Sequence, residues 1–478
     1  MSKLINFKKI ADANLEKLDL SNASKLRLKN EVKKSRMMSF KTLSFIGIPA
    51  VAALIAFILI FTGVFSPSNI LRVSKKSTRL NVPNTSIFEI SAKNIMKGIT
   101  PQTVWTKALS NNFIKSTADF SMDLFKEAYT KGKNSLISPP SVYLALGMTA
   151  NGSDGNTLKQ FETLLGKYGL NIKDLNPYYK SLSSELSTID SGKLSIGNSI
   201  WYNENDNLEI NGEFLQTNAD YFNGAAFKAD FNNPATVNDI NSWVKLNTGN
   251  TIDKIIDKID NNSILYLINT VLFDAQWKDT YPKVTIFKDN FQLSNKTKES
   301  IDFMHSNEYW YLKDDQVEGF IKPYKNEKYS FVALLPKKNV NIDSYISSLS
   351  GESFITLLKN KSDKLVETAL PKFKATYKIN LVKPLKDMGL KDCFNADNAN
   401  FTKMGSSNLG NIFVGDVLHK TFITVDADGT KAGAATVVEM RDGTVLNPLR
   451  ITLNRPFAYA IIDNETSLPL FIGTMMKP

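Results

Sequence analysis

The tract HKTFITVDADGTKAGAATVVEMRDGTVLNP, from His419 to Pro448, decides how this chain is to be read. Its second part, from Gly429 on, holds few large apolar groups and lies between two apolar strands, which is the setting of an exposed loop. Yet Thr430, Ala432, Ala434, Thr436, Val438 and Met440 alternate with Lys431, Gly433, Ala435, Val437, Glu439 and Arg441. One set is small or apolar throughout and the other accepts charge, the period of a strand with one face on a core. The same residues can therefore live as a loop and as a strand. A low-complexity Ala/Gly linker would share this composition.

Working outward, the chain has 478 residues, 42% of them apolar and 22% charged, the make-up of a folded protein with room for a large core. The single cysteine, Cys393, excludes an internal disulfide, and His305 and His419 are too far apart for a local zinc motif. No GxGxxG, P-loop or G-x-S-x-G motif occurs, so nucleotide binding and serine hydrolysis lack a signature. The chain is expected not to be an enzyme, and neither a metal nor another cofactor is expected. The net charge of +11 is uneven: residues 1–41 hold 11 Lys/Arg against 4 Asp/Glu, and residues 72–110 hold 7 against 1. The remainder is close to neutral, which argues against a nucleic-acid surface.

No charged residue occurs from Thr42 to Leu71, and the 23 residues Leu43–Phe65 are densely apolar. As a helix they would span about 35 Å, enough for a hydrocarbon core of roughly 30 Å. Residues 42–65 are read as a transmembrane anchor, too long and too far from the start for a cleaved leader. Seven basic residues (Lys25, Arg27, Lys29, Lys33, Lys34, Arg36, Lys41) precede the span and four (Arg72, Lys75, Lys76, Arg79) follow it, which puts the N-terminus inside. Residues 1–41 then form a basic cytoplasmic segment, and the rest of a single-pass membrane protein is extracytoplasmic. Residues 66–104, rich in Ser, Asn, Thr and Lys with Pro67, Pro83 and Pro101, read as a flexible tether.

Beyond residue 104 the pattern changes. Phe113, Phe120 and Leu124 recur at helical spacing, as do Val142, Ala145, Leu146 and Thr149 after Pro139-Pro140. Strand character follows at Leu194, Ile196 and Ile200, then at 264–273, 331–335, 457–462 and 468–472. Helices early and strands late, without βαβ alternation, make residues 105–478 an α+β domain with large mixed or antiparallel sheets.

A series of segments along the chain resembles the serpin family of serine protease inhibitors. His419–Thr436 looks like the family's loop hinge, H-K-x-x-x-x-V-x-E-x-G-T-x-A-A-A-A-T. Asn134-Ser-Leu-Ile-Ser-Pro-Pro-Ser141 with its helix resembles the N-x-x-x-S-P-x-S signature, and Asn151–Thr157 with Gln160 its continuation. The others are Ile240–Val244 with Thr248 and Ile252, Leu267–Asn269 with Phe273 and Trp277, Leu334–Pro336, Leu370–Phe373 and Asn454–Phe457. The resemblance implies a large central mixed sheet, additional sheets and about nine helices, here preceded by the transmembrane helix.

It also implies a function without an active site. In the family a target protease cleaves an exposed loop, is acylated by it, and is carried across the molecule as the loop inserts into the central sheet. About fourteen inserted residues at roughly 3.3 Å each span about 46 Å. The partner implied is a serine protease, less often a cysteine protease, in a covalent complex with a monomeric inhibitor. The resemblance places the hinge at Gly429, Thr430, Lys431, Ala432, Gly433, Ala434, Ala435 and Thr436, and a polar sheet-opening cluster at Asn134, Ser138, Ser141, Asn269 and His419. Trp277 falls near the entry point of the sheet. Ala427 stands where the family usually has Glu, so a charge at the loop base is missing. The scissile bond is Gly443-Thr444, Thr444-Val445 or Arg441-Asp442, depending on how the loop is counted. The alternative is a non-inhibitory member that displays its loop or surface to a partner.

Overall fold

The computed structural model describes residues 90–187, 192–204, 207–260, 263–325, 327–408, 410–430 and 449–478. The basic segment 1–41, the anchor 42–65, the tether up to residue 89, the hinge from Lys431 to Thr436 and all scissile-bond candidates lie outside the described residues. No helix among the described residues is long and apolar enough to cross a membrane.

Nine α-helices occur among the described residues: α1 (Asn111–Ala128), α2 (Pro139–Ala150), α3 (Gly155–Leu165), α4 (Ile172–Ser187), α5 (Gly212–Phe222), α6 (Ala235–Asn247), α7 (Ile342–Ser348), α8 (Gly351–Lys359) and α9 (Val382–Asp387). In α1 the Ser110 side chain caps the Phe113 N–H, and Phe113, Phe120 and Leu124 are buried as their spacing requires. All twelve residues of α2 are buried, and its two prolines sit in the first turn, where a missing N–H costs nothing.

A seven-stranded sheet holds β1 (Lys93–Asn94), β3 (Gly192–Asn203), β5 (Ala225–Ala229), β6 (Leu265–Gln276), β12 (Phe373–Asn380), β14 (Asp416–Val425) and β15 (Gly429–Thr430). Its order is β1-β5-β3-β6-β15-β14-β12, with β6 also paired to β14. A nine-stranded sheet holds β2 (Leu136–Ile137), β7 (Ile286–Gln292), β8 (Lys298–Lys313), β9 (Val317–Pro323), β10 (Tyr329–Pro336), β11 (Ser362–Pro371), β16 (Leu449–Thr452), β17 (Phe457–Asp463) and β18 (Pro469–Met475). The short strands β4 (Glu209–Ile210) and β13 (Gly405–Ser406) pair separately.

The seven-stranded sheet is mixed and buried on both faces. Leu265, Leu267, Val271 and Phe273 of β6 enter the main core beside α2. Tyr266 and Ile268 enter a second core with Ile240, Trp243 and Val244 of α6. Such two-sided burial explains why this strand reads as a continuous apolar run.

Residues 90–104, expected in the tether, lie on the domain: β1 extends the sheet edge antiparallel to β5, with Lys93 opposite Lys228. The Asp239 carboxylate accepts from the Ser91 N–H, the Ser91 hydroxyl and the Ala92 N–H at 2.7–3.1 Å. Ile95, Met96 and Ile99 pack on the main core, and Ile90 and Ala92 on the second. A few apolar side chains among polar neighbours suffice here because an exposed sheet edge supplies backbone partners.

Candidate functional site

The strands β6 and β14 run parallel from Tyr266–Leu272 against Asp416–Phe422. Beyond that stretch they part and β15 enters between them, Thr430 opposite both Val425 and Ala275, and Gly429 opposite Gln276. Two parallel strands leave room for a third running the other way, which then pairs antiparallel with both. The chain reverses through Asp426–Asp428, where Asp426 Oδ1 accepts the N–H groups of Asp428 and Gly429 at 3.1 and 3.3 Å. At Gly429 a Cβ would stand 2.2 Å from the Ala275 carbonyl oxygen, so the entry point admits only glycine. Thr430 is fully buried, with Oγ1 2.6 Å from the Tyr324 hydroxyl. Thr430 therefore faces the core, as the alternation of the tract requires.

A seat of aromatic side chains holds this entry. Trp277 is buried; its Nε1–H donates to the Asp426 carbonyl at 2.8 Å and its backbone N–H to the Asp428 carbonyl at 3.0 Å. The Tyr281 N–H donates to the Ala427 carbonyl at 2.9 Å. Tyr324 stacks on Trp277 with ring centroids 4.6 Å apart. Burial raises the Tyr324 phenol well above its ordinary pKa, so it stays a neutral partner for Thr430. Ala427, without the charge expected at this position, packs against the main core.

Further down the seam lies a polar cluster. His419 on β14 and Asn269 on β6 stand opposite each other, and His419 Nδ1–H donates to Asn269 Oδ1 at 2.5 Å. His419 Nε2 accepts the Ser138 N–H at 3.1 Å, which fixes the neutral Nδ1–H tautomer. The Ser141 hydroxyl donates to Asn269 Oδ1 at 2.8 Å, and Asn269 Nδ2 donates to the Ser141 carbonyl at 3.0 Å and to Asn198 Oδ1 at 2.5 Å. Burial pushes the His419 imidazole down to about 3.

Four of the five residues expected in this cluster thus meet. Asn134 does not: its amide holds the C-terminus, donating to the Lys477 carbonyl and accepting from the Met476 and Lys477 N–H groups. It precedes α2 and faces the end of β18 instead of the seam. Asn198 on β3 takes part although the sequence reading passed it over. Its signal is visible in retrospect: Leu194, Ile196, Ile200 and Tyr202 all belong to or pack on the main core, and Asn198 alone interrupts that inward row. Replacing Asn198 by alanine strips Asn269 Nδ2 of one acceptor. It is expected to lower the unfolding free energy by about 1–3 kcal/mol, measured by urea denaturation.

A family model described as Serpin (serine protease inhibitor) matches residues 115–478. A serpin-like protein of Thermococcus kodakarensis is 30% identical over 378 residues, covering 76% of this chain and 85% of the relative. Neuroserpin of Homo sapiens is 27% identical over 380 residues, covering 76% of this chain and 91% of the relative. The crystal structure of tengpin, a thermophilic serpin, in its native state matches with a TM-score of 0.78 and 45% identity over 81% of this chain and all of tengpin. Tengpin in its latent state matches with a TM-score of 0.69 and 46% identity over 77% of this chain and 98% of tengpin.

Proposed function

The chain belongs to the serpin family, and we propose that it inhibits a serine protease, or a cysteine protease, by suicide trapping. The observation that carries this reading is the half-open seam, in which β15 already forms the first rung of a strand antiparallel to both β6 and β14. Continuing that register residue by residue puts Ala432 opposite Phe273 and Ile423, Ala434 opposite Val271 and Thr421, and Thr436 opposite Asn269 and His419. The first inward residues, Ala432, Ala434 and Thr436, are all small, so the leading part of the strand meets little steric resistance as the sheet parts. Insertion must part the parallel pairs from Tyr266–Asp416 to Leu272–Phe422 and separate His419 from Asn269. The polar cluster then acts as the latch, since each of its groups needs a new partner once the sheet opens. That tengpin has been solved in a native and a latent state supports a second stable arrangement of the same fold.

The residues of the loop tip, Arg441, Asp442, Gly443, Thr444 and Val445, hold the scissile bond in this reading, and the bond cut decides the target. The inhibitor acts as a monomer, outside the membrane, anchored through residues 42–65. The uncharged run from Thr42 to Leu71 and the basic excess before it support that placement.

Incubation with a panel of proteases tests the mechanism. An SDS-resistant adduct is expected, with release of a C-terminal fragment whose first residue names the bond. Cleavage of the loop without trapping is expected to raise the thermal midpoint markedly, because the severed segment becomes a central strand. A cleaved protein that melts with the intact one would leave the non-inhibitory, partner-displaying reading in its place.

A further inference from the structure

A charged pair lies beneath the aromatic seat. Lys322 on β9 and Glu308 on β8 are both almost fully buried, and Lys322 Nζ donates to Glu308 Oε1 at 2.8 Å. The Ser306 hydroxyl donates to the same carboxylate oxygen at 2.6 Å and stands 3.0 Å from the Thr368 hydroxyl. The ammonium is also 4.4 Å from the centre of the Tyr281 ring and 5.6 Å from that of Trp277. These two residues hold the carbonyls of Asp426, Ala427 and Asp428. Lys322 interrupts an otherwise apolar buried stretch, Phe320-Ile321-Lys322, and the Tyr281 hydroxyl beside it is buried with Ser306 and Lys322 as its polar neighbours. Burial by itself would push the Lys322 ammonium down, but Glu308 and Tyr281 outweigh it and hold it above its ordinary value.

A buried ion pair is weak evidence for stability, since an apolar pair of similar volume does as well or better. An ammonium facing two aromatic rings in a site closed to water does have a directional effect: it is drawn to the ring faces and restrains their planes. We infer that Lys322, held by Glu308, is a positioning residue for the hinge, fixing Trp277 and Tyr281 at the height where residues 426–430 enter the seam. The consequence for trapping rests on the inhibitory reading above: a loose seat delays entry of the loop and lets the acyl-enzyme hydrolyse first.

The test uses the full chain in detergent, as wild type, K322M/E308L and Y281L. Hydrogen exchange at the Trp277 and Tyr281 amides reads the seat directly, the thermal midpoint reads the fold, and moles of inhibitor consumed per mole of protease inactivated read the partition. K322M/E308L is expected to melt within a few degrees of wild type while the two amides exchange at least ten-fold faster and inhibitor consumption rises several-fold. Y281L keeps both Lys322 and Glu308 and removes the ring that faces the ammonium, and is expected to speed exchange at Trp277 by a similar factor. Wild-type exchange at the Trp277 and Tyr281 amides in K322M/E308L overturns the assignment, whatever Y281L shows. If wild type traps no protease, the inhibitory reading falls, while the exchange rates still decide the role of Lys322.

Discussion

Thr430→Arg is expected to abolish covalent trapping while leaving loop cleavage intact, turning the protein from inhibitor to substrate. Thr430 is the first inward residue of the tract and is already fully buried, its hydroxyl 2.6 Å from that of Tyr324. A guanidinium there would have to be buried against the Tyr324 hydroxyl, and an unpaired buried charge costs about 3–5 kcal/mol, enough to slow entry of the loop more than a hundred-fold. The acyl-enzyme then has time to hydrolyse. The measurement is the yield of SDS-resistant adduct against cleaved monomer, with Lys431→Arg as control because the alternation points residue 431 away from the core. Unchanged adduct yield in Thr430→Arg would contradict the insertion order. Thr430→Ser keeps the hydroxyl and is expected to trap normally.

The second large effect is a loss of stability in weak acid that depends on one histidine. The imidazole of His419 is held at about 3 by burial, against an ordinary value near 6.5. Between those values a state with the sheet opened or unfolded binds a proton that the closed state refuses. The closed sheet therefore has its full stability above about pH 6.5 and loses about 1.4 kcal/mol per unit as the pH falls toward 3. By pH 5 the loss is about 2 kcal/mol, and spontaneous conversion of the intact protein to an inserted form is expected to accelerate correspondingly. His419→Gln cannot titrate, yet can accept the Ser138 N–H, so it is expected to flatten the change between pH 7 and pH 5. His305, also lowered by burial, shifts stability in the same direction. His305→Gln is thus the matched control, and acid sensitivity that survives in His419→Gln but vanishes in His305→Gln would reassign the effect.

Much of the site was readable before the fold was known, for identifiable reasons. Ser138, Ser141, Asn269 and His419 lie in short tracts whose spacing matches the family, and they do meet across α2, β6 and β14. Thr430 could be assigned an inward face because a strand repeats every two residues. Asn134 shows the limit: it sits in the same tract as Ser138, but four residues along a chain about to enter a helix are enough to aim it at Lys477. Residues 90–104 look like a linker by composition, yet Asp239 waits on α6 to accept three hydrogen bonds from Ser91 and Ala92. Nothing in the local sequence reports such a partner.

The amino-acid sequence alone was sufficient for what depends on neighbours along the chain: the inward face of Thr430, the buried helix after Pro139-Pro140 and the strand character of residues 264–273. Only the folded molecule decided that Gly429 and Thr430 already stand between β6 and β14, that Asn198 completes the polar cluster, and that Lys322 meets Glu308 under Trp277. The physical reason is that side-chain periodicity is a property of one strand. Which residue of a distant strand lies opposite is set by register, and register is fixed only when both strands pack on a common core.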